Sequence, residues 1–465
     1  MPIPKLNEPT RRAGDKGGPF SGEGPLRVLI DLPADLRQVE AGPWEGPTAP
    51  VLEHILWSLC QGSSDIELHW LAQPGETGTG AVHFQEPDLS SDHWPFMFSK
   101  NDGGEWLGAV PMYRQLKRIA DEDPTRSLDS YAKAALSGDL RAHITVTNDP
   151  DLLNLTGFYA RNINALTAAE ALAVVGLYLR KDDPYVGAWA PKVSFNLGTH
   201  DAAWVAVRSQ LPSGWRWSSA LVDHSKATDD DYATLLFGSF FERLVRMLNH
   251  RDNIHRAILQ RADNQTGHDA TEALDTFMFN VVGAFDAAAI AAHLGAGRQF
   301  DDRRRAGWQS KDWRKGLGVP PLYEMFHRNR PADDLFAVCR LLRNTVHGAG
   351  LGSVVASSGS VRETLVRLPH AEAAEFVDRL SRLAPAHTWG ITERHPEQLY
   401  VDPSRLVEGL IPYIFSTLEE VLEHTPLEDL ARTGVVREGV PTDGAFDLST
   451  RTRTSLLYGL TPPSC

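Results

Sequence analysis

Two apolar runs in the N-terminal half each end on a carboxylate, and this pattern narrows the fold more than any other feature of the chain. Leu26-Arg27-Val28-Leu29-Ile30-Asp31 reads as a buried strand closed by Asp31. Ala142-His143-Ile144-Thr145-Val146-Thr147-Asn148-Asp149 reads as a second strand, closed by Asp149. Between and beyond them lie helical segments: Val51 to Leu59, Ser127 to Leu136 with Asp129 near its start, and the apolar stretch Ala168 to Arg180. Strands alternating with helices predict an α/β domain with an open parallel sheet. Chemistry in such a sheet collects at the carboxyl ends of the strands, where Asp31 and Asp149 fall. The same acids also have ordinary structural uses: Asp129 as an acid at a helix start, and Asn148-Asp149-Pro150 as turn chemistry.

The C-terminal half carries a different period. Leu335, Phe336, Val338, Leu341 and Leu342 recur at helical spacing and run into Arg343-Asn344-Thr345-Val346-His347, followed by Gly348-Ala349-Gly350 as a stop signal. Arg343 and His347 stand four positions apart, on one face of that helix. An imidazole beside a guanidinium suits RNA cleavage without a metal. The imidazole moves the proton of a ribose 2′-hydroxyl, and the guanidinium holds the charge that grows on phosphorus. His and Arg near a helix C-terminus also neutralise its dipole and cap free carbonyls, which is the structural alternative. Pro403 to His424 reads as a long final helix, with Leu406, Leu410, Ile411, Ile414, Phe415, Leu418 and Leu422 on one stripe.

Over 268–425 the chain resembles the HEPN family of helical domains, with Leu274 to Ala287 standing for the long first helix. The resemblance implies a metal-independent ribonuclease of the bacterial stress or defence kind, needing no cofactor and working as a homodimer in which two copies of the motif helix meet. It makes His347 the general acid or base and Asn344 the residue that orients the pair. Family members usually place four to six residues between arginine and histidine. Arg343 leaves three and Arg340 leaves six, so either arginine could hold the phosphate. In the N-terminal half, the string from Leu128 to Leu153 and the segment Ile163 to Leu172 resemble the second half of a PIN domain. That family has a Rossmann-like sheet and uses acids to hold Mg²⁺ or Mn²⁺ for RNA hydrolysis. Hard divalent cations favour oxygen ligands, and the bound ion activates a water and stabilises charge on the phosphate. Carried over, Asp31, Asp129 and Asp149 match the first, third and fourth acids. Glu53 is preferred for the second, with Glu40 and Glu45 as alternatives.

Length and charge set the outer limits. A chain of 465 residues predicts more than one domain. The expected arrangement is a flexible leader over 1–25 and a PIN-like α/β domain over 26–180. A mixed insert with connecting helices follows over 181–265, then an all-helical HEPN-like bundle over 266–430 and a polar tail over 431–465. Within the insert, Asn249 to Gln265 reads as a polar connector. No apolar run reads as a membrane span, so no membrane partner is expected. Three scattered cysteines (Cys60, Cys339, Cys465) lack metal-ligand spacing and predict a reduced, cytoplasmic setting.

A net charge of −14 argues against coating nucleic acid by bulk electrostatics. One local segment matches a single-strand binding recipe: Arg303, Arg304, Arg305, Lys311, Arg314 and Lys315, interleaved with Trp308 and Trp313. Walker A, dinucleotide glycine, zinc HExxH and nucleophile-elbow motifs are absent, and nothing orders His200 or His224 into a triad. The leading expectation is therefore an RNA-acting protein with an Arg/His site. A catalytically silent HEPN-like module that binds a protein or nucleic acid, and a metal-dependent PIN-type nuclease, are the alternatives.

Overall fold

The computed structural model describes residues 2–4, 6, 20, 24–32, 49–72, 80–83, 98–99, 128–155, 163–181, 185–190, 193–228, 231–260, 262–298, 300–345, 350–358, 361–368, 370–395, 398–427 and 448–462. The chain divides into two compact units, Met1–Thr199 with Leu456–Leu460 and Cys465, and His200–Ser455 with Thr461–Ser464.

The first unit is built on a six-stranded sheet. Its elements are β1 (Leu26–Asp31), α1 (Ala49–Gly62), β2 (Ile66–Ala72), β3 (Ala81–His83), β4 (Phe98–Ser99), α2 (Leu128–Asp139), β5 (Ile144–Thr147), the short α3 (Pro150–Leu153), β6 (Ala165–Leu166) and α4 (Ala168–Leu179). A separate antiparallel hairpin follows, β7 (Tyr185–Ala190) with β8 (Val193–Gly198). The sheet order is β4-β3-β2-β1-β5-β6, parallel except for β4. Leu26, Val28, Leu29 and Ile30 are all at most 1% exposed, as a central strand buried on both faces demands. The chain leaves β1 on one side to make β2 and β3, and returns on the other to make β5 and β6. That reversal falls between β1 and β5, whose carboxyl ends are where an open α/β sheet gathers its functional groups.

α4 is buried along nearly its whole length and starts on a capping box, Thr167 with Glu170. Its far end holds the distal segment of the chain. Arg180 donates to the Leu457 carbonyl and stacks 3.9 Å from the Tyr458 ring centroid, while the Tyr458 hydroxyl donates to the Thr199 carbonyl. The expected leader and tail therefore need correcting. Ile3, Leu6 and Phe20 are buried, Phe20 packs edge-on against Tyr178, and Leu448–Leu457 is helical. Isolated apolar residues in a Pro- and Gly-rich stretch carry no local signal that a core awaits them.

The second unit is mostly helical. It comprises α5 (Thr199–Gln210), α6 (Gly214–Thr228), α7 (Tyr232–Leu259), α8 (Asn264–Gly295), α9 (Lys311–Leu317), α10 (Pro320–Met325), α11 (Pro331–Thr345), β9 (Gly352–Ser358), β10 (Val361–Arg367), α12 (His370–Leu383), β11 (Ile391–His395), β12 (Gln398–Val401), α13 (Pro403–His424) and α14 (Leu448–Leu457). The final helix Pro403–His424 has the predicted bounds. An all-helical domain was expected here, but β11-β12-β10-β9 form an antiparallel sheet. The polar connector expected over 249–265 is largely the last turns of α7, where Arg251 and His255 are buried and meet Glu408 of α13.

α8 is the spine of this unit. It packs most extensively on α7 and also meets α11, α13 and β9. By length and composition α8 alone among the described helices could cross a membrane, yet 78% of its apolar window is buried inside the protein. Core packing accounts for that apolarity. Phe285 stands among Phe326 and Phe336, with ring centroids 6.4 and 5.3 Å away, and Trp308 stacks on Phe326 at 4.4 Å. Both cysteines among the described residues, Cys60 and Cys339, are buried and free, and burial pushes each thiol up to about 12.

Gly176 tests how the distal segment is held. A Cβ there would strike the Leu457 carbonyl. Alanine for glycine inside a helix ordinarily gains ~0.5–1 kcal/mol. At Gly176→Ala the overpacking reverses that sign, and a net loss of about 1–2 kcal/mol is expected in urea unfolding. An unchanged or raised midpoint would show that the segment yields at no cost.

Candidate functional site

Of the four acids nominated for a metal, Asp31 and Asp149 lie at the carboxyl ends of β1 and β5, while Asp129 on α2 and Glu53 on α1 reach them through Lys133 and Asn148. Register pairs Asp31, the last residue of β1, with Thr147, the last of β5. The Thr147 hydroxyl donates to Asp31 Oδ2 at 2.8 Å and accepts from the Asp149 amide at 3.0 Å. Asp149 is the N-cap of α3: its Oδ1 accepts from the Asp151 amide at 2.9 Å, and its Oδ2 accepts from the Ser130 hydroxyl at 2.7 Å. Glu53, 2% exposed on α1, accepts from Asn148 Nδ2 at 2.6 Å. The alternatives Glu40 and Glu45 lie outside the described residues.

Sequence reasoning missed the group at the centre. Lys133 Nζ lies 3.0 Å from Asp31 Oδ2 and 3.0 Å from Asp129 Oδ2. Burial disfavours its ammonium, but the two carboxylates outweigh that and hold the lysine above its ordinary pKa. The signal was readable, since Asp129 and Lys133 are four apart on a helix. The oxygen-rich donor set suits Mg²⁺ or Mn²⁺ in kind. In arrangement it does not fit, because an ammonium stands where the ion would bind. Among the described residues no three His, Cys, Asp or Glu side chains are grouped to hold a metal.

In the second unit, Arg343 lies in the last turn of α11 and lines a cleft of about 360 Å³. The opposite walls are one face of α7, with Leu236, Ser239 and Arg243, and one face of α8, with Phe279, Gly283 and Asp286. α11 is fixed at its other end, where Arg382 of α12 grips buried Asp334 in a two-point fork of 2.8 and 2.7 Å and Arg379 adds a third contact at 3.1 Å. Arg343 Nη1 donates to Asn344 Oδ1 at 3.3 Å. Arg340 is exposed and is not among the residues lining the cleft. His347 lies outside the described residues.

Two further groups of this cleft have no sequence signature, because α7 and α8 meet only in the fold. Arg243 lies over the Phe279 ring, 5.7 Å from its centroid, and Phe279 is 51% exposed. Protein packed around the Asp286 carboxyl pushes its pKa above the ordinary range, while Arg343 and Arg243 pull the other way. Asp286 also reaches water, which screens both effects. Two cations thus converge with one acid and one exposed aromatic ring.

The segment nominated for single-strand binding is arranged differently from the expectation. Trp308 is 1% exposed, and its indole N–H donates to the Phe285 carbonyl at 2.7 Å, so its faces serve the core and not a base. Trp313 donates to His293 Nδ1 at 3.2 Å, and buried Arg314 donates to the Phe326 carbonyl. Arg303 stacks over Tyr232 at 5.1 Å, and Arg305 pairs with Asp302 at 3.5 Å. Arg304, Lys311 and Lys315 are exposed. Aromatic residues at this spacing fill the core because a short loop returns them onto α8.

Comparison with known proteins found no match to a family, to a curated protein or to a solved structure.

Gly283 gives the cleft a direct test. A Cβ there would occupy the space of the Arg243 guanidinium, a flexible end that can move aside. Gly283→Ala is therefore expected to keep or raise stability, since alanine favours the helix by ~0.5–1 kcal/mol. With Arg243 displaced, the Asp286 carboxyl loses one of the cations that lower its pKa and should titrate at higher pH. Carbon-13 carboxyl NMR on aspartate-labelled protein, assigned with Asp286→Asn, reads this out. An unmoved or lowered titration would contradict the placement of Arg243.

Proposed function

We propose that the second unit acts on RNA as a metal-independent endoribonuclease of the stress or defence type, with the phosphate held in the cleft that Arg343 lines. The observation that carries this reading is the convergence of Arg343 and Arg243, from separate helices, on one cleft beside an exposed aromatic ring. Guanidiniums offer planar pairs of N–H donors that match phosphate oxygens. Two of them in a partly desolvated cleft stabilise a growing phosphorane charge more strongly than the same groups in water. Phe279 supplies a face on which a base can stack.

In this proposal His347 takes the proton of the 2′-hydroxyl as its oxygen attacks phosphorus. The bond to the 5′-oxygen breaks, and a proton returns to that leaving oxygen. Asn344, already bonded to Arg343, orients the guanidinium. Asp286 holds the two arginines in place before substrate arrives. The family resemblance also implies a homodimer through the motif helix. Leu235 of α7, 68% exposed next to cleft-lining Leu236, is an apolar group that a second copy would cover.

Cleavage of labelled single-stranded RNA and tRNA by wild type, with EDTA present, tests the reading. Activity should survive EDTA. It should fall by about 10²–10³-fold in Arg343→Ala and by about 10²–10⁴-fold in His347→Ala, while Arg340→Ala stays near wild type. Cleavage abolished by EDTA and lost in Asp149→Ala would reject the proposal and move the chemistry to the first unit. Folded protein that binds RNA without cutting it would instead support the silent binding module.

A further inference from the structure

We infer that Lys133 takes the place of a divalent ion in the first unit, so that its converging carboxylates are held together without metal. The ammonium bridges Asp31 and Asp129 at 3.0 Å each, a charge-assisted hydrogen-bond distance on both sides. This is no loose surface pair: the Lys133, Asp31 and Asp129 side chains are only 15%, 16% and 28% exposed. A divalent ion of this kind draws oxygens in to about 2.0–2.2 Å and asks for six of them. Here both Asp149 oxygens and Glu53 Oε1 accept from protein donors. Asp149 bonds to Ser130 and to the start of α3, and Glu53 bonds to Asn148. Lysine and aspartate share one helix, so the cation is present at every moment, whatever the metal supply.

The charge balance has a functional consequence. The Lys133 ammonium occupies the position between Asp31 and Asp129 from which an ion could bridge those two carboxylates to a phosphodiester. On this inference the paired carboxylates of the first unit serve to dock its helix α2, and the phosphate chemistry, resting on the function proposed above, belongs to the second unit.

Mn²⁺ binding to the full chain, followed by loss of the free-ion electron paramagnetic signal and by thermal unfolding, decides this independently of any cleavage. Wild type should take up no Mn²⁺ at the carboxylates, and its Tm should not respond. Lys133→Ala should gain one Mn²⁺ site that adding Asp129→Asn removes. Its Tm should rise by roughly 5 °C at a hundredfold excess of ion over Kd. Should the alanine variant not fold alone, Lys133→Met keeps the apolar stem, and folding of either variant on adding Mn²⁺ is the same positive result. Wild-type uptake that Asp31→Asn abolishes would overturn the inference, because the lysine would then merely swing aside. Failure of both lysine variants to bind Mn²⁺ would overturn it equally.

Discussion

Carboxylates brought together out of water repel one another strongly unless a cation stands between them. In the first unit that cation is part of the chain. The sheet order places β1 and β5 side by side, so Asp31 and Thr147 come into register, and α2 lies against them with Asp129 and Lys133 one turn apart. Each partner then has a fixed task. Thr147 links Asp31 to the Asp149 amide, and Ser130 ties Asp149 back to α2. Loss of the ammonium would leave two partly buried acids facing each other and weaken the contact that docks α2. The cluster at the ends of β1 and β5 is thus an electrostatic joint.

The second unit solves the same problem with arginine. Asp334, 1% exposed at the start of α11, is gripped by Arg382 and Arg379, and Arg251 with His255 meets Glu408 inside the α7–α13 contact. These buried pairs are modest contributors to net stability, since desolvation offsets much of their attraction. What they supply is position. A fork at one end of α11 sets where its other end points, and that end carries Arg343. Gly283 acts similarly by omission: lacking a Cβ, it leaves room for Arg243 to lie across α8.

Much of the first unit was legible because its signals are local. Leu26 to Asp31 is apolar enough to be central, and Asp149 before Pro150 announces both a strand end and a helix cap. These signals are enough to put Asp31 and Asp149 at the carboxyl ends of neighbouring strands. Lys133 was overlooked although an i, i+4 pair is the plainest ionic signal a helix offers. In the second unit the apolar stripe of α13 gave its bounds, whereas the sheet over 352–401 was hidden by the expectation of a helical domain. The runs Val354-Val355 and Thr364-Leu365-Val366 on either side of Gly359-Ser360 carried a hairpin signal of their own. Trp308 and Trp313 misled for a physical reason. A tryptophan near arginines reads the same whether its ring faces a base or a phenylalanine, and only the return of the chain onto α8 distinguishes the two. The cleft itself had no local signal, since Arg243, Asp286 and Arg343 lie on three separate helices.

Net charge and local charge pull in opposite directions here, and that constrains how RNA could be held. At −14 the chain repels a polyanion at long range, so diffusional steering would not favour encounter. Any affinity must then come from short-range groups that act only after contact. Arg343 and Arg243 can engage one or two phosphates, and Phe279 can stack one base. A site so small reads a few nucleotides, and stacking requires the base to be out of a helix. Under the proposed function, then, a loop or a single strand would suit this cleft better than a duplex. Asp286 shares the cleft with both guanidiniums, so an anion bound there must also contend with its carboxyl group.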